Sequence, residues 1–128
     1  MNVFIHITEF NREIIGIEQR PHGLLNQDEV EFTSKALDEE RVEFIQAHQS
    51  GDFIGAIDAL LDSIYFAVGG LYKMGLTPDQ MAACMAAVHE ANMTKKKGVT
   101  KRGHENDAAK PEGWISPEER IGKILDGE

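Results

Sequence analysis

Two long helical runs separated by only three residues govern what this chain can fold into. From Val30 to Gln49 there is neither proline nor glycine, and Phe32, Ala36, Leu37, Phe44, Ile45 and His48 recur at helical spacing. The stretch "SGD", Ser50 to Asp52, breaks the run. Asp52 is placed to cap a second helix that continues to about residue 74, where Gly75 ends it. So short a break predicts that the two helices fold back on each other as an antiparallel pair. The second run is apolar on nearly all sides and needs several neighbours, and Gly69 and Gly70 within it permit close helix approach.

On the N-terminal side, Ile5, Ile7, Phe10, Ile14, Ile15 and Ile17 fall largely on one face and predict a short first helix, interrupted by "RPHGLLNQDE". On the C-terminal side, "TPDQ" sets Thr77 three residues before Gln80 with Pro78 at the first helical position, a start signal for a helix through "MAACMAAVHEANM". Residues 94–115 are polar, basic in their first half and rich in turn formers, too long for an ordinary connection, and read as a flexible or lid-like segment. "SPEERIGKIL" repeats the start signal with Ser116, Pro117 and Glu119 and predicts a short C-terminal helix. No alternating strand pattern of useful length appears. The expected fold is all-α: one domain over residues 1–128, with a four-helix-bundle core, a short C-terminal helix and a long basic loop.

A chain of 128 residues buries only a modest core, so a homodimer or homotetramer is expected. The formal net charge of -9 argues against stable binding to nucleic acid but not against a small phosphate ligand. Cys84 stands alone, and the N-terminus has no basic segment followed by a long apolar run, so a cytoplasmic protein is expected. No membrane span is expected, because charges break even the most apolar helix. None of the five histidines, His89 included, has a zinc-ligand spacing. Met81, Met85 and Met93 read as core filler.

The chemistry lies in acidic residues. "DEERVEF" supplies Glu39, Glu40 and Glu43, which at about 100° per residue share a sector of roughly 100°. Asp58 and Asp62 interrupt the apolar run, offset from each other by roughly 40°. Counted from Gly51, Glu43 lies eight residues before and Asp58 seven after, so the two acidic faces match in level across the break. An exposed "DEERVE" alone is an ordinary solvated helix face. Facing a second acidic pair within an apolar helix, however, the carboxylates repel and need neutralising. Protonation, pairing with Lys35 or Arg41, or a hard divalent cation would serve. Oxygen ligands in this number suit Mg²⁺ or Mn²⁺.

With these residues in view, the chain resembles the all-α nucleoside triphosphate pyrophosphohydrolases of the MazG-like and phosphoribosyl-ATP pyrophosphohydrolase superfamily. The likeness lies in "EERVE" as E-E-x-x-E, a short turn, and "DALLDSIYFAVG"; Phe10-Asn11, "VHEANMTK" and "KPEGW" extend it towards short phage and bacterial members. One position departs: the second motif of the family is E-x-x-D, whereas the residue three before Asp62 is Ala59 and the acid stands one place earlier, at Asp58.

The resemblance implies hydrolysis of a nucleoside triphosphate to the monophosphate and pyrophosphate with Mg²⁺ or Mn²⁺. Carried over residue by residue, Glu40, Glu43, Asp58 and Asp62 hold the metal and Glu39 handles the attacking water. Asn92, Lys95 and, less directly, Lys110 bind substrate, with Arg102 among the cations of the basic segment. Lysines following a helix also favour its negative end without binding anything. Asn11 is the candidate for reading the base, with dGTP or GTP favoured from the resemblance to phage members. Trp114 suits either stacking on a base or anchoring the tail. The competing readings are a helical nucleotide-binding or regulatory oligomer without turnover, and phosphoribosyl-ATP hydrolysis in histidine synthesis.

Overall fold

The computed structural model describes residues 2–127. They divide between Pro78 and Asp79 into two compact units. Among the described residues there are five α-helices, a π-helical turn and one two-stranded ribbon, so the all-α expectation holds.

The first unit opens with α1, Val3–Phe10, capped by the Asn2 side chain, whose Oδ1 accepts the amides of Phe4 at 3.0 Å and Ile5 at 3.2 Å. It passes directly into a π-helical turn over Asn11–Ile15, closed by Gly16 at φ +81°. This wider turn shifts the helical register, and it moves Ile14 and Ile15 off the single apolar face expected of them; they are 71% and 53% exposed. The helix α2 spans Gln27–Gln49 and starts before the first residue of the apolar pattern. Its beginning is set by a polar device, a capping box in which Asn26 and Glu29 satisfy each other's amides at 2.9 and 3.3 Å.

The helix α3 covers Phe53–Lys73. As expected, Asp52 caps it, accepting the Gly55 amide at 2.9 Å, and Gly75 at φ +95° follows its end. A Cβ at Gly75 would collide with the carbonyls of Pro21 and Arg20, so the chain turns there on glycine. These contacts belong to a strap, residues 16–25, that lies over the C-terminus of α3. Arg20 Nη1 donates to the Lys73 carbonyl at 3.2 Å, the Gly23 amide to Met74 at 3.1 Å and Gln19 Nε2 to Gly75 at 2.9 Å. The strap thus satisfies carbonyls left without helical partners. It is held in turn by Tyr72 Oη, which donates to the Ile17 carbonyl at 2.6 Å, and by the 2.7 Å Arg20–Glu29 ion pair.

Within this unit α3 packs on α2 and α1. Small residues make that packing close: Ala36 and Ala47 of α2 and Ala56, Ala59, Val68 and Gly69 of α3 are buried, together with Ile7 and Tyr72. The several neighbours expected around α3, from this chain or from another subunit, are not all supplied within one chain: Phe53, Ile54, Leu60 and Leu61 are more than half exposed. By length and composition α3 also suffices to cross a bilayer, which corrects the expectation from its charges; soluble core helices pass the same test.

The second unit contains α4 (Pro78–Asn92), the strands β1 (Lys96–Gly98) and β2 (Asp107–Ala109), and α5 (Glu118–Leu125). The strands pair antiparallel, Lys97 opposite Ala108, within the segment read from the sequence as flexible or lid-like. What orders it is local: Arg102 grips Asp107 through Nε and Nη2 at 2.8 and 2.9 Å, and Thr100 Oγ1 donates to the same carboxylate at 2.5 Å. Trp114 Nε1 donates to the Ala91 carbonyl at 2.9 Å, so this indole anchors the tail to the last turn of α4. The start of α5 falls at Glu118, whose amide is accepted by Ser116 Oγ at 3.2 Å. Met81 is buried as expected, whereas Met85 and Met93 are 55% and 72% exposed and do not fill a core.

Candidate active site

Four of the five predicted acids influence one another across the α2–α3 pair. Glu40 on α2 is 7% exposed, and its Oε2 has no hydrogen-bond partner. Burial, a hydrogen bond with Glu43, and the charges of Glu43, Asp62 and Asp58 push its carboxyl up to about 7. Asp62 is raised as well, by burial and then by Asp58 and Glu43. The level matching read from the turn therefore places one acidic pair opposite the other. Asp58, one position away from the family's place, is among the charges felt by both Glu40 and Asp62. Glu39 is exposed on the preceding residue of α2.

The neutralising partners that the sequence offered are not at this site. Arg41 pairs instead with Asp38 at 2.9 Å on the exposed side of α2, and Lys35 is exposed without an ion pair. As they stand, no three ligating side chains among the described residues converge into a formed metal cluster. The donor set nevertheless fits a hard cation. It is all oxygen, it carries an excess of negative charge, and it includes a buried carboxylate oxygen with no partner, which costs roughly 1–3 kcal/mol or more unless satisfied.

A second feature of the same unit is a cavity of about 170 Å³ lined by Phe10, Asn11, Phe32, Tyr65, Gly69 and Lys73, among others. Pockets for whole drug-sized ligands run to roughly 300–1,000 Å³, so this one suits a single ring system. Aromatic edges shape it: Phe10 meets Tyr65 edge-on at 5.3 Å and Phe32 meets Phe66 at 6.1 Å. Asn11 is 5% exposed, at the start of the π turn, and its Nδ2 donates to the Ile7 carbonyl at 2.9 Å. Gly69 makes room for it, since a Cβ there would lie 3.4 Å from Asn11 Nδ2. Of the residues lining this cavity, the sequence singled out Asn11. Tyr65, Phe66 and Lys73 were not singled out, although Tyr65, Gly69 and Lys73 recur every four residues along one helical stripe.

The remaining predicted residues belong to the second unit. Lys95 and Lys110 each bring Nζ to 5.0 Å from the Trp114 ring, so both ammonium groups gather on one indole. They line, with Thr100, Lys101 and Arg102, a basic cavity of about 590 Å³. Arg102 is committed to Asp107 there, and the pair holds the Asp107 carboxyl well below the usual range; a phosphate at Arg102 has to compete with that carboxylate. Asn92 is exposed at the end of α4, and His89 is exposed too.

Comparison with protein families matches residues 7–92 to the family model described as phosphoribosyl-ATP pyrophosphohydrolase. The match takes in all five acids, Asn11 and Asn92, and ends before Lys95. A comparison with curated proteins found no match.

Proposed function

The chain belongs to the phosphoribosyl-ATP pyrophosphohydrolase family, and from that premise we propose that it hydrolyses a nucleoside triphosphate to the monophosphate and pyrophosphate in a reaction dependent on Mg²⁺ or Mn²⁺. Family membership by itself indicates a pyrophosphohydrolase acting on a nucleotide-like substrate. The observation that carries the fuller reading is the buried Glu40 carboxyl, its Oε2 without a hydrogen-bond partner, which feels the charges of Glu43, Asp58 and Asp62 and has no ion pair among the described residues.

These four residues would hold the cation. When bound, it supplies charge neutralisation for the triphosphate and activation of water. Glu39, exposed beside them, accepts the proton of the attacking water at its carboxylate. Asn92, Lys95 and Lys110 engage the phosphates, and Arg102 braces the ribbon that carries the basic residues. The aromatic cavity holds the base, with the Asn11 Oδ1 as an acceptor for a base N–H, which favours guanine and supports dGTP as substrate. The exposed apolar stripe of α3 joins copies of the chain into a homo-oligomer.

The description of the matched family favours a second reading, hydrolysis of phosphoribosyl-ATP. A panel of the common NTPs and dNTPs and phosphoribosyl-ATP, each with Mg²⁺ or Mn²⁺ and with pyrophosphate resolved from orthophosphate, separates the two. The proposal expects pyrophosphate release, fastest from dGTP or GTP. Turnover of phosphoribosyl-ATP alone selects the second reading. Nucleotide binding without any turnover marks a regulatory module instead.

A further inference from the structure

The aromatic cavity contains a charge that none of the proposed steps uses. Lys73, the last residue of α3, lines it, with Nζ 4.4 Å from the centroid of the Phe32 ring. Its only contact of note is that ring: no carboxylate among the described residues lies within ion-pair distance of it. Its charge is felt by Glu29, which Arg20 already holds at 2.7 Å. The backbone of Lys73 is fixed, because its carbonyl accepts Arg20 Nη1 from the strap. A cation at the end of a helix is favoured by the helix dipole whatever else it does. Here, however, it is turned onto an aromatic wall of a cavity whose other polar side chains are buried Asn11 and the more exposed phenol of Tyr65, and of these Asn11 and Lys73 are the pair of fixed polarity.

The polarity of the two groups is complementary. The Asn11 amide is oriented by the bond from Nδ2 to the Ile7 carbonyl, and Oδ1 accepts no hydrogen bond from the described residues, so it offers an acceptor. Lys73 offers only donors. An acceptor and a cationic donor on the walls of one aromatic slot match a base edge in which a ring N–H stands beside a carbonyl oxygen. Guanine and hypoxanthine have that edge, and so do uracil and thymine. Adenine presents an amino group where the carbonyl would be, leaving the ammonium without an acceptor and two donors facing each other.

We propose that Lys73 is a specificity-determining residue that donates to the carbonyl oxygen of an oxo-base while Asn11 accepts from the adjacent N–H, selecting guanine-type bases over adenine. This assignment rests on the cavity being the base site of a nucleotide hydrolase, as given under the proposed function.

The test compares wild type with Lys73→Met, which keeps the length and packing against Phe32, and with Lys73→Arg, which keeps the charge. Turnover of dGTP, dITP and dATP is measured for each. Lys73→Met is expected to lower kcat/KM for dGTP and dITP by about 10- to 100-fold through KM, to change dATP by less than ~3-fold, and to be largely rescued in Lys73→Arg. dITP separates the carbonyl from the amino group of guanine, since it keeps only the former. An equal loss on all three nucleotides, or an unchanged ratio between them, overturns the assignment. Titration of dGMP and dAMP, followed by calorimetry on the same proteins, covers the case of no turnover. Tighter dGMP binding that Lys73→Met weakens selectively would uphold Lys73 while the hydrolase reading falls, and equal binding of both monophosphates would overturn Lys73 as well. Circular dichroism and melting of Lys73→Met confirm the fold, and Lys73→Gln replaces it if that variant is unstable.

Discussion

The Glu40 carboxyl loses its proton only near pH 7, because burial and three acidic neighbours oppose its charge. In an unfolded chain the same group titrates near about 4.3. The native state therefore binds more protons than the unfolded state between these values. The contribution of Glu40 to stability is present below about pH 4.3 and is lost as pH rises through about 7. Asp62 is shifted in the same direction. Protein freed of divalent cations with a chelator should melt lower at pH 8 than at pH 5.5, and Mn²⁺ should restore most of the difference at pH 8. Glu40→Gln removes the buried charge, so at pH 8 its chelated form should melt ~2–6 °C above wild type, while pyrophosphate release falls by more than roughly 100-fold. A variant that melts lower at pH 8 and keeps its activity would remove Glu40 from the site. Glu39 carries a separate prediction: Glu39→Gln should lower kcat by about 10²–10⁴-fold with Mn²⁺ affinity unchanged, as measured by titration of the ion.

At the scale of elements, the ends of helices hold this unit in register. Asp52 caps α3 through the Gly55 amide, and Asp52→Ala should cost about 1 kcal/mol in urea unfolding. Tyr72→Phe deletes the 2.6 Å bond to the Ile17 carbonyl, should cost a further ~1 kcal/mol, and should speed amide exchange in the strap over α3. What the sequence made legible follows the same division. Ser50 to Asp52, Gly75 and Pro78 are chemically distinctive at single positions, and so the limits of α3 and the start of α4 were readable. The acidic faces were readable because helical geometry fixes their relative angle once the turn is known. The π turn at Asn11–Ile15 was not, since it changes register without a proline or glycine inside it. Nor was the ribbon, which depends on Arg102 and Asp107 meeting across a loop. The aromatic cavity draws Phe10, Phe32 and Tyr65 from three helices, and such a meeting is a product of packing that no local pattern announces.

For the molecule as a whole, the composition of α3 poses the main question. Phe53, Ile54, Leu60, Leu61 and Ile64 are exposed along it, and burying one such side chain contributes ~1.5–3 kcal/mol. Association of copies through this stripe predicts an oligomer in sedimentation equilibrium, which Leu60→Glu should dissociate without unfolding it; a monomeric wild type would contradict that assembly. The acidic site itself joins helices adjacent in sequence, so its four carboxylates are supplied by one chain. The most direct measurement is ³¹P NMR of dGTP incubated with the protein, with Mn²⁺ and with chelator. The account predicts dGMP and pyrophosphate in equal amounts, formed only with the cation and not formed by Glu40→Gln. Orthophosphate with dGDP, or hydrolysis that persists in chelator, would contradict it.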